Sequence, residues 1–268
     1  MKAILISTSL KERLTSVGVF NLVGLGLLWL YIGVYPSIQG QSAAYNKIIR
    51  SMSPSVLKAF GASNSSLNSL SGFLASKQFG FSWPLIIIFL AASLAVSLIS
   101  GEIEQTTISQ WLSAPISRIS IYWSKFIAGM FWVVVSVVIS IFAIIPLASI
   151  YNLSVNSAYV FDMAITGGLF ALAILAFSML VSSLVSKKTK AYLPIGIVLI
   201  VMFTLNVVAA LNGNLDYLKY FSFFYYFNAS NLLTSGVVNS ASYLMFGSVI
   251  VVCSLVGSFI FKKRNYII

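Results

Sequence analysis

"WPLIIIFLAASLAVSLISGEIEQTTISQWLSAPISRISIYWSKFIAGMFWVVVSVVISIFAIIPLASI", residues 83–150, is two long apolar runs joined by a charged connector. Each run reaches the roughly 18 residues that cross a hydrocarbon core about 30 Å thick as helix. The connector is unusually polar for this chain. Two of the five acidic residues, Glu102 and Glu104, stand in it, and Arg118 and Lys125 follow, although only 8% of all residues are charged. Fifty-nine per cent of the 268 residues are hydrophobic, and the mean hydropathy is +0.98. A soluble domain of this size has no interior large enough for that much apolar surface. The runs are continuously apolar rather than alternating, which disfavours barrel strands. The fold class is all-α, a polytopic membrane protein.

Outward from this stretch, six spans are predicted, at 17–35, 83–101, 121–150, 160–185, 191–211 and 241–261, in a single domain covering 1–268. Pro146 is placed to bend the third span near its far end. Pro194 falls in the first turn of the fifth, where a missing N–H costs little. Residues 1–16, "MKAILISTSLKERLTS", place Ile4, Leu5, Leu10 and Leu14 on one helix face, as an N-terminal amphipathic helix at the membrane interface would. The apolar run after it is too long for a signal peptide, and no small-residue cleavage site is evident.

Charge sets the expected orientation. With the N-terminus inside, the inner segments hold Lys2, Lys11, Arg13, Arg118, Lys125, Lys187, Lys188, Lys190, Lys262, Lys263 and Arg264. The outer side holds Lys47, Arg50, Lys58, Lys77 and Lys219, four of them in one long loop, where charge steers topology weakly. Both termini are therefore expected in the cytoplasm, with outer loops at 36–82 and 212–240. Trp29, Tyr31 and Tyr35 would ring the outer end of span one, Trp83 the outer start of span two, and Trp123 the inner start of span three, as interfacial anchors. Within the first outer loop, 45–52 and 53–61 read as short amphipathic helices. "FSFFYYFN" (221–228) in the second reads as a re-entrant or interfacial segment packed on its neighbours. The net charge of +11 fits contact with anionic membrane lipids, not nucleic acid.

Chemistry-bearing motifs are sparse. The chain has no histidine and one cysteine, Cys253, within an apolar run. The usual general base is missing, and a thiolate metal site is not expected. A G-x-x-x-x-G-K-[ST] phosphate loop is absent, so ATP should not bind here by that route. The chain is expected not to be an enzyme. The spans carry almost no charge, which leaves an ion-coupled carrier without visible parts. Asn21 and Asn206 are the notable polar residues in spans, as interhelical hydrogen-bond partners or path-lining groups. In "AASLAVSLIS" (91–100), Ala91 with Ala95 and Ser93 with Ser97 make small-xxx-small pairs that let helices approach closely or line a path.

The connector itself reads as a short helix from Glu102 to Leu112, broken by Ser113-Ala114-Pro115. "GEIEQTTISQWLSAPISRISIYWSK" resembles the connector of ABC-2-type transporter permeases, in which G-E-x-E-x-G-T precedes L-L-S-x-P-[VI]-S-R and a basic residue. Gly101, Glu102, Glu104, Thr107, Leu112, Ser113, Pro115, Ile116, Ser117, Arg118 and Lys125 match. Thr106 stands where the family often has glycine. The basic N-terminus, "YPSI" (35–38), "SMSPSVLKAFG" (51–61) and the six-span layout are similar too. The resemblance implies a permease subunit of an ATP-binding-cassette exporter in the plasma membrane. Such a subunit pairs with a second permease chain, as homo- or heterodimer, and with separate ATPase subunits that hold ATP and Mg. It implies that residues 102–118 are a cytoplasmic coupling helix between spans two and three. Glu102, Glu104, Thr107, Trp111, Leu112, Pro115 and Arg118 would couple to the ATPase. Ile103, Ile108, Trp111 and Leu112 would be buried against that partner, with Glu102, Glu104 and Arg118 at the contact's edge. A membrane anchor or signalling component moved by an ATPase without solute transport is the alternative.

Overall fold

A computed structural model describes residues 2–40, 69–108 and 116–264. Six helical stretches in it are long and apolar enough to cross a membrane: Ala3–Gly40, Leu70–Glu104, Arg118–Ile150, Ser157–Leu184, Lys188–Leu211 and Ser240–Lys263. All six expected spans are present, and each is longer than hydropathy suggested. The helical segments expected at 45–52 and 53–61 lie outside the described residues.

Helix α1 (Lys2–Gly40) is one unbroken element. The expected separate interfacial helix over 1–16 is instead continuous with span one, because neither glycine nor proline interrupts residues 2–16. Span two begins at Leu70, thirteen residues before its predicted start. It comprises α2 (Leu70–Lys77), a π-helical turn at Gln78–Ser82, α3 (Trp83–Leu98) and α4 (Ser100–Glu104). Ser69 starts it as an N-cap, its side chain accepting from the Gly72 N–H. This earlier start moves Trp83 from the expected interface into the core. Its ring is fully buried, its Nε1 donates to Ser140 Oγ at 2.8 Å, and Phe227 lies 5.2 Å away, centroid to centroid.

Span three is α5 (Arg118–Phe142) followed by α6 (Ile144–Ile150), with the break at Ala143. Pro146 has no N–H for the Phe142 carbonyl, so the bend falls where the sequence placed it. Helix α7 (Ser157–Leu184) is capped by Asn156, and α11 (Ser240–Lys263) by Asn239. Helix α8 (Lys188–Leu211) starts three residues early, so Pro194 sits inside it and not in its first turn. Between α8 and α11 come a 3₁₀ segment (Gly213–Phe221), α9 (Phe223–Tyr226) and α10 (Ala229–Ser235).

Helix α7 is the central post, packed on α3, α5 and α11, while α1 lies along α5. Gly257 of α11 allows a close approach to α5 and α7. A Cβ there would collide with the Tyr122 hydroxyl and come within 3.3 Å of the Leu180 backbone. In the most apolar window of span two, 67% of residues are buried inside the bundle, against 17% in span five. Span five is thus the most peripheral. Phe223 and Phe227 of the expected aromatic segment are buried, Phe227 stacking on Phe170 at 4.9 Å, so this segment packs onto the bundle.

Candidate functional site

The bundle has two unlike ends. One carries the starts of α1, α5 and α8 and the finishes of α4, α7 and α11, together with most of the described basic residues. Here the two connector carboxylates meet the rest of the protein. Glu102 is buried at 6% exposure, and its Oε1 accepts from Lys125 Nζ of α5, itself 2% exposed. The same ammonium donates to Ser9 Oγ of α1 at 2.9 Å. Three helices therefore converge on one buried ion pair. Glu102 Oε2 has no hydrogen-bond partner among the described residues. Two charges taken out of water cost several kcal/mol each, which only close mutual contact offsets.

Glu104 stays exposed, but its Oε2 accepts the Lys188 backbone N–H at 3.0 Å. A carboxylate at the first turn of α8 answers unpaired N–H groups and the positive end of the helix dipole. Gly101 lets α8 come close, since a Cβ there would stand 2.7 Å from Lys188 Cε. Arg118 Nη1 donates to the carbonyls of Lys262 (3.3 Å) and Arg264 (2.7 Å) at the end of α11. Arg264 Nη1 in turn donates to Ser183 O (2.8 Å) and Val185 O (3.0 Å) at the end of α7. Each arginine thereby satisfies carbonyls that a helix end leaves open. Arg13 Nη2 of α1 reaches Ser97 O at 3.2 Å.

These contacts place Glu102 inside the chain and set the half-buried Arg118 against the end of α11. Glu102 is an internal tie, and Arg118 is occupied in capping α11. Ile108 is also buried in the chain's own core, at 3% exposure, so it is not free for a partner; Ile103 is half-buried. The helix expected from Glu102 to Leu112 is interrupted after Glu104 by a turn at residues 105–107; Ile108 is helical again, and 109–112 lie outside the described residues. Thr106 has φ +59°, a left-handed conformation that suits glycine, the residue the family often places there. Thr107 Oγ1 donates back to the Glu102 carbonyl at 3.3 Å. Trp111, Leu112 and Pro115 lie outside the described residues. Lys125, Ser9 and the Lys188 N–H were missed as partners of the two glutamates; the match of Lys125 to the basic position after the connector was the signal nearest to hand.

The spans' polar residues part company. Asn21 Nδ2 donates to Ser136 Oγ and to the Val17 carbonyl, both at 2.9 Å, a bond between α1 and α5. Ser93 and Ser97 are half-buried on α3, each two residues after a fully buried alanine, Ala91 and Ala95. Asn206 lines an open cavity of about 480 Å³ at the opposite, aromatic end.

The sequence matches the ABC-2 family transporter protein profile over residues 6–266. The chain belongs to the ABC-2 transporter family. No curated protein matches it. The family span covers both ends of the bundle, so the charged junction and the aromatic cavity both lie within the ABC-2 region. Membership suggests a multi-pass permease subunit of an ABC transporter, a class that associates with ABC ATPase subunits.

Proposed function

We propose that the chain is the permease subunit of an ABC exporter in the plasma membrane, moved by a separate ATPase that seats on residues 102–118. Both termini face the cytoplasm in this reading, and a second permease chain completes the pathway. ATP and Mg belong to the ATPase, and the chain performs no chemistry of its own. The observation that carries the reading is the Glu102–Lys125–Ser9 junction. A lever works only if its base does not slip. The segment after span two is tied through Glu102 to α5 and α1, and through Glu104 to α8. A push on the exposed turn at Gln105–Thr106 is thus delivered to four helices at once. Residues 109–117 would supply the gripping surface, and Glu102 would act behind it as a positioning residue.

Affinity purification from native membranes tests this. A separate ATP-binding-cassette protein is expected in the eluate. The Glu102→Leu/Lys125→Met double variant should keep that partner and its ATP hydrolysis while losing substrate flux. Flux at the wild-type rate in that variant would show that the junction transmits nothing, and hydrolysis without flux for any solute in the wild type would favour the anchor or signalling role.

A further inference from the structure

The two span asparagines are the same side chain in opposite states. Asn21 is satisfied across a helix interface. Asn206, in the last two turns of α8, makes no side-chain hydrogen bond among the described residues and faces the cavity. A half-buried amide with no side-chain bond to the described residues keeps its donors and acceptor for a guest. The volume, about 480 Å³, lies within the range of small-molecule sites. The π-helical turn of span two lies along it through Phe79 and Gly80, and such turns recur at functional positions.

The walls define what would fit. Phe203 meets Phe224 edge-on, with centroids 5.2 Å apart at 79°, and Phe227 closes the inner side. Rings held at angles leave faces and edges for a flat guest. Asn231, on α10, adds a second carboxamide without a side-chain bond among the described residues. The charges among the described lining residues are Asp216 and Lys219, and they pair with each other. That carboxylate, by its hydrogen bond, holds the Lys219 ammonium above its usual range. A cationic guest would find no spare carboxylate, and an anionic one no spare ammonium.

We propose that this cavity binds a neutral, amphipathic small molecule, with a flat unsaturated body held among the phenyl rings and an N–H or hydroxyl given to the Asn206 carboxamide. The proposal deepens the transport reading above by naming the class of cargo, and it rests on that reading for the cargo's fate but not for its binding. All of the cavity's described lining comes from one chain, and the test below separates a small-molecule guest from a second copy seated there.

N-phenyl-1-naphthylamine, a neutral diarylamine with a naphthyl ring system, a phenyl ring and one N–H, is the probe. It is titrated by fluorescence into the full chain in lipid nanodiscs, with empty nanodiscs subtracted. Ethidium, a flat permanent cation, is titrated in parallel. Saturable binding of the neutral probe alone is expected. Asn206→Leu should weaken it about tenfold, the worth of one hydrogen bond. Ala210→Trp, which fills the cavity, should abolish it, with both variants keeping the wild-type elution volume. Neutral-probe binding that does not saturate, or that both variants leave unchanged, overturns the site. Saturation by ethidium instead overturns the ligand class. Ready disulfide formation between copies carrying Asn206→Cys, in a Cys253→Ser background, would place a second chain there and also overturn it. No ATPase is present in this assay. A chain that binds the probe but recruits no ATPase contradicts the transport reading alone, and one that recruits the ATPase but binds no probe contradicts the cavity alone.

Discussion

The basic end of the bundle is tied by charge, and the aromatic end is packed by rings. At the first, every span has a side-chain tie to a neighbour: Ser9 and Arg13 of α1, the two glutamates of span two, Lys125 and Arg118 of α5, the final carbonyls of α7, the first N–H of α8, and Arg264 after α11. At the second, Trp83, Phe170, Phe224 and Phe227 pack against one another beside an open cavity. Charge-assisted bonds are strong and directional, whereas ring contacts tolerate sliding. The difference suits one end to receive a displacement without yielding and the other to change shape around a guest.

The largest expected effect breaks the tied end. Lys125→Met leaves Glu102 buried without its counter-ion and should cost about 3–5 kcal/mol of stability, read as a lowered thermal unfolding midpoint in detergent. Glu102→Leu/Lys125→Met should recover most of that loss. A double variant as unstable as the single one would mean that the pair's charges do not matter to each other.

At the aromatic end, Trp83→Phe removes one bond to Ser140 but keeps a ring, so about 1 kcal/mol is expected. A loss as large as that of Lys125→Met would erase the contrast between the two ends. The asparagines sharpen it further. Asn21→Leu should cost about 0.6–1 kcal/mol, the usual worth of an interhelical side-chain bond. Asn206→Leu should leave stability unchanged or raised, because no bond among the described residues is lost. Equal losses in the two variants would show that Asn206 is held by a structural partner. Smallest of all, Thr106→Gly relieves a left-handed threonine and adds chain entropy, leaving a net change of a few tenths of a kcal/mol. A loss above about 1 kcal/mol would show that the hydroxyl matters more than the bend.

The spans were legible in hydropathy alone, and three starts fell one to three residues late because the caps Ser117, Asn156 and Asn239 were not read. The family was legible in the connector. Trp83 was misread because a tryptophan beside an apolar run looks the same at an interface and in a core. Only the helical extension from Leu70 separates the two cases. The Glu102–Lys125 pair joins residues 23 apart in sequence, and their meeting depends on how spans two and three lie against each other, which no local pattern encodes. Asn21 and Asn206 have equally apolar neighbours in sequence, and their partners come from other helices or from none.

The central claim is that the turn after span two faces an ATPase and is gripped by it. Gln105 is exposed on that turn. A Gln105→Cys chain in a Cys253→Ser background, treated with a short bifunctional maleimide in native membranes, should cross-link to a separate ATP-binding-cassette protein and resist membrane-impermeant thiol reagents added outside intact cells. Labelling from outside, with no cross-linked ATPase, would contradict it.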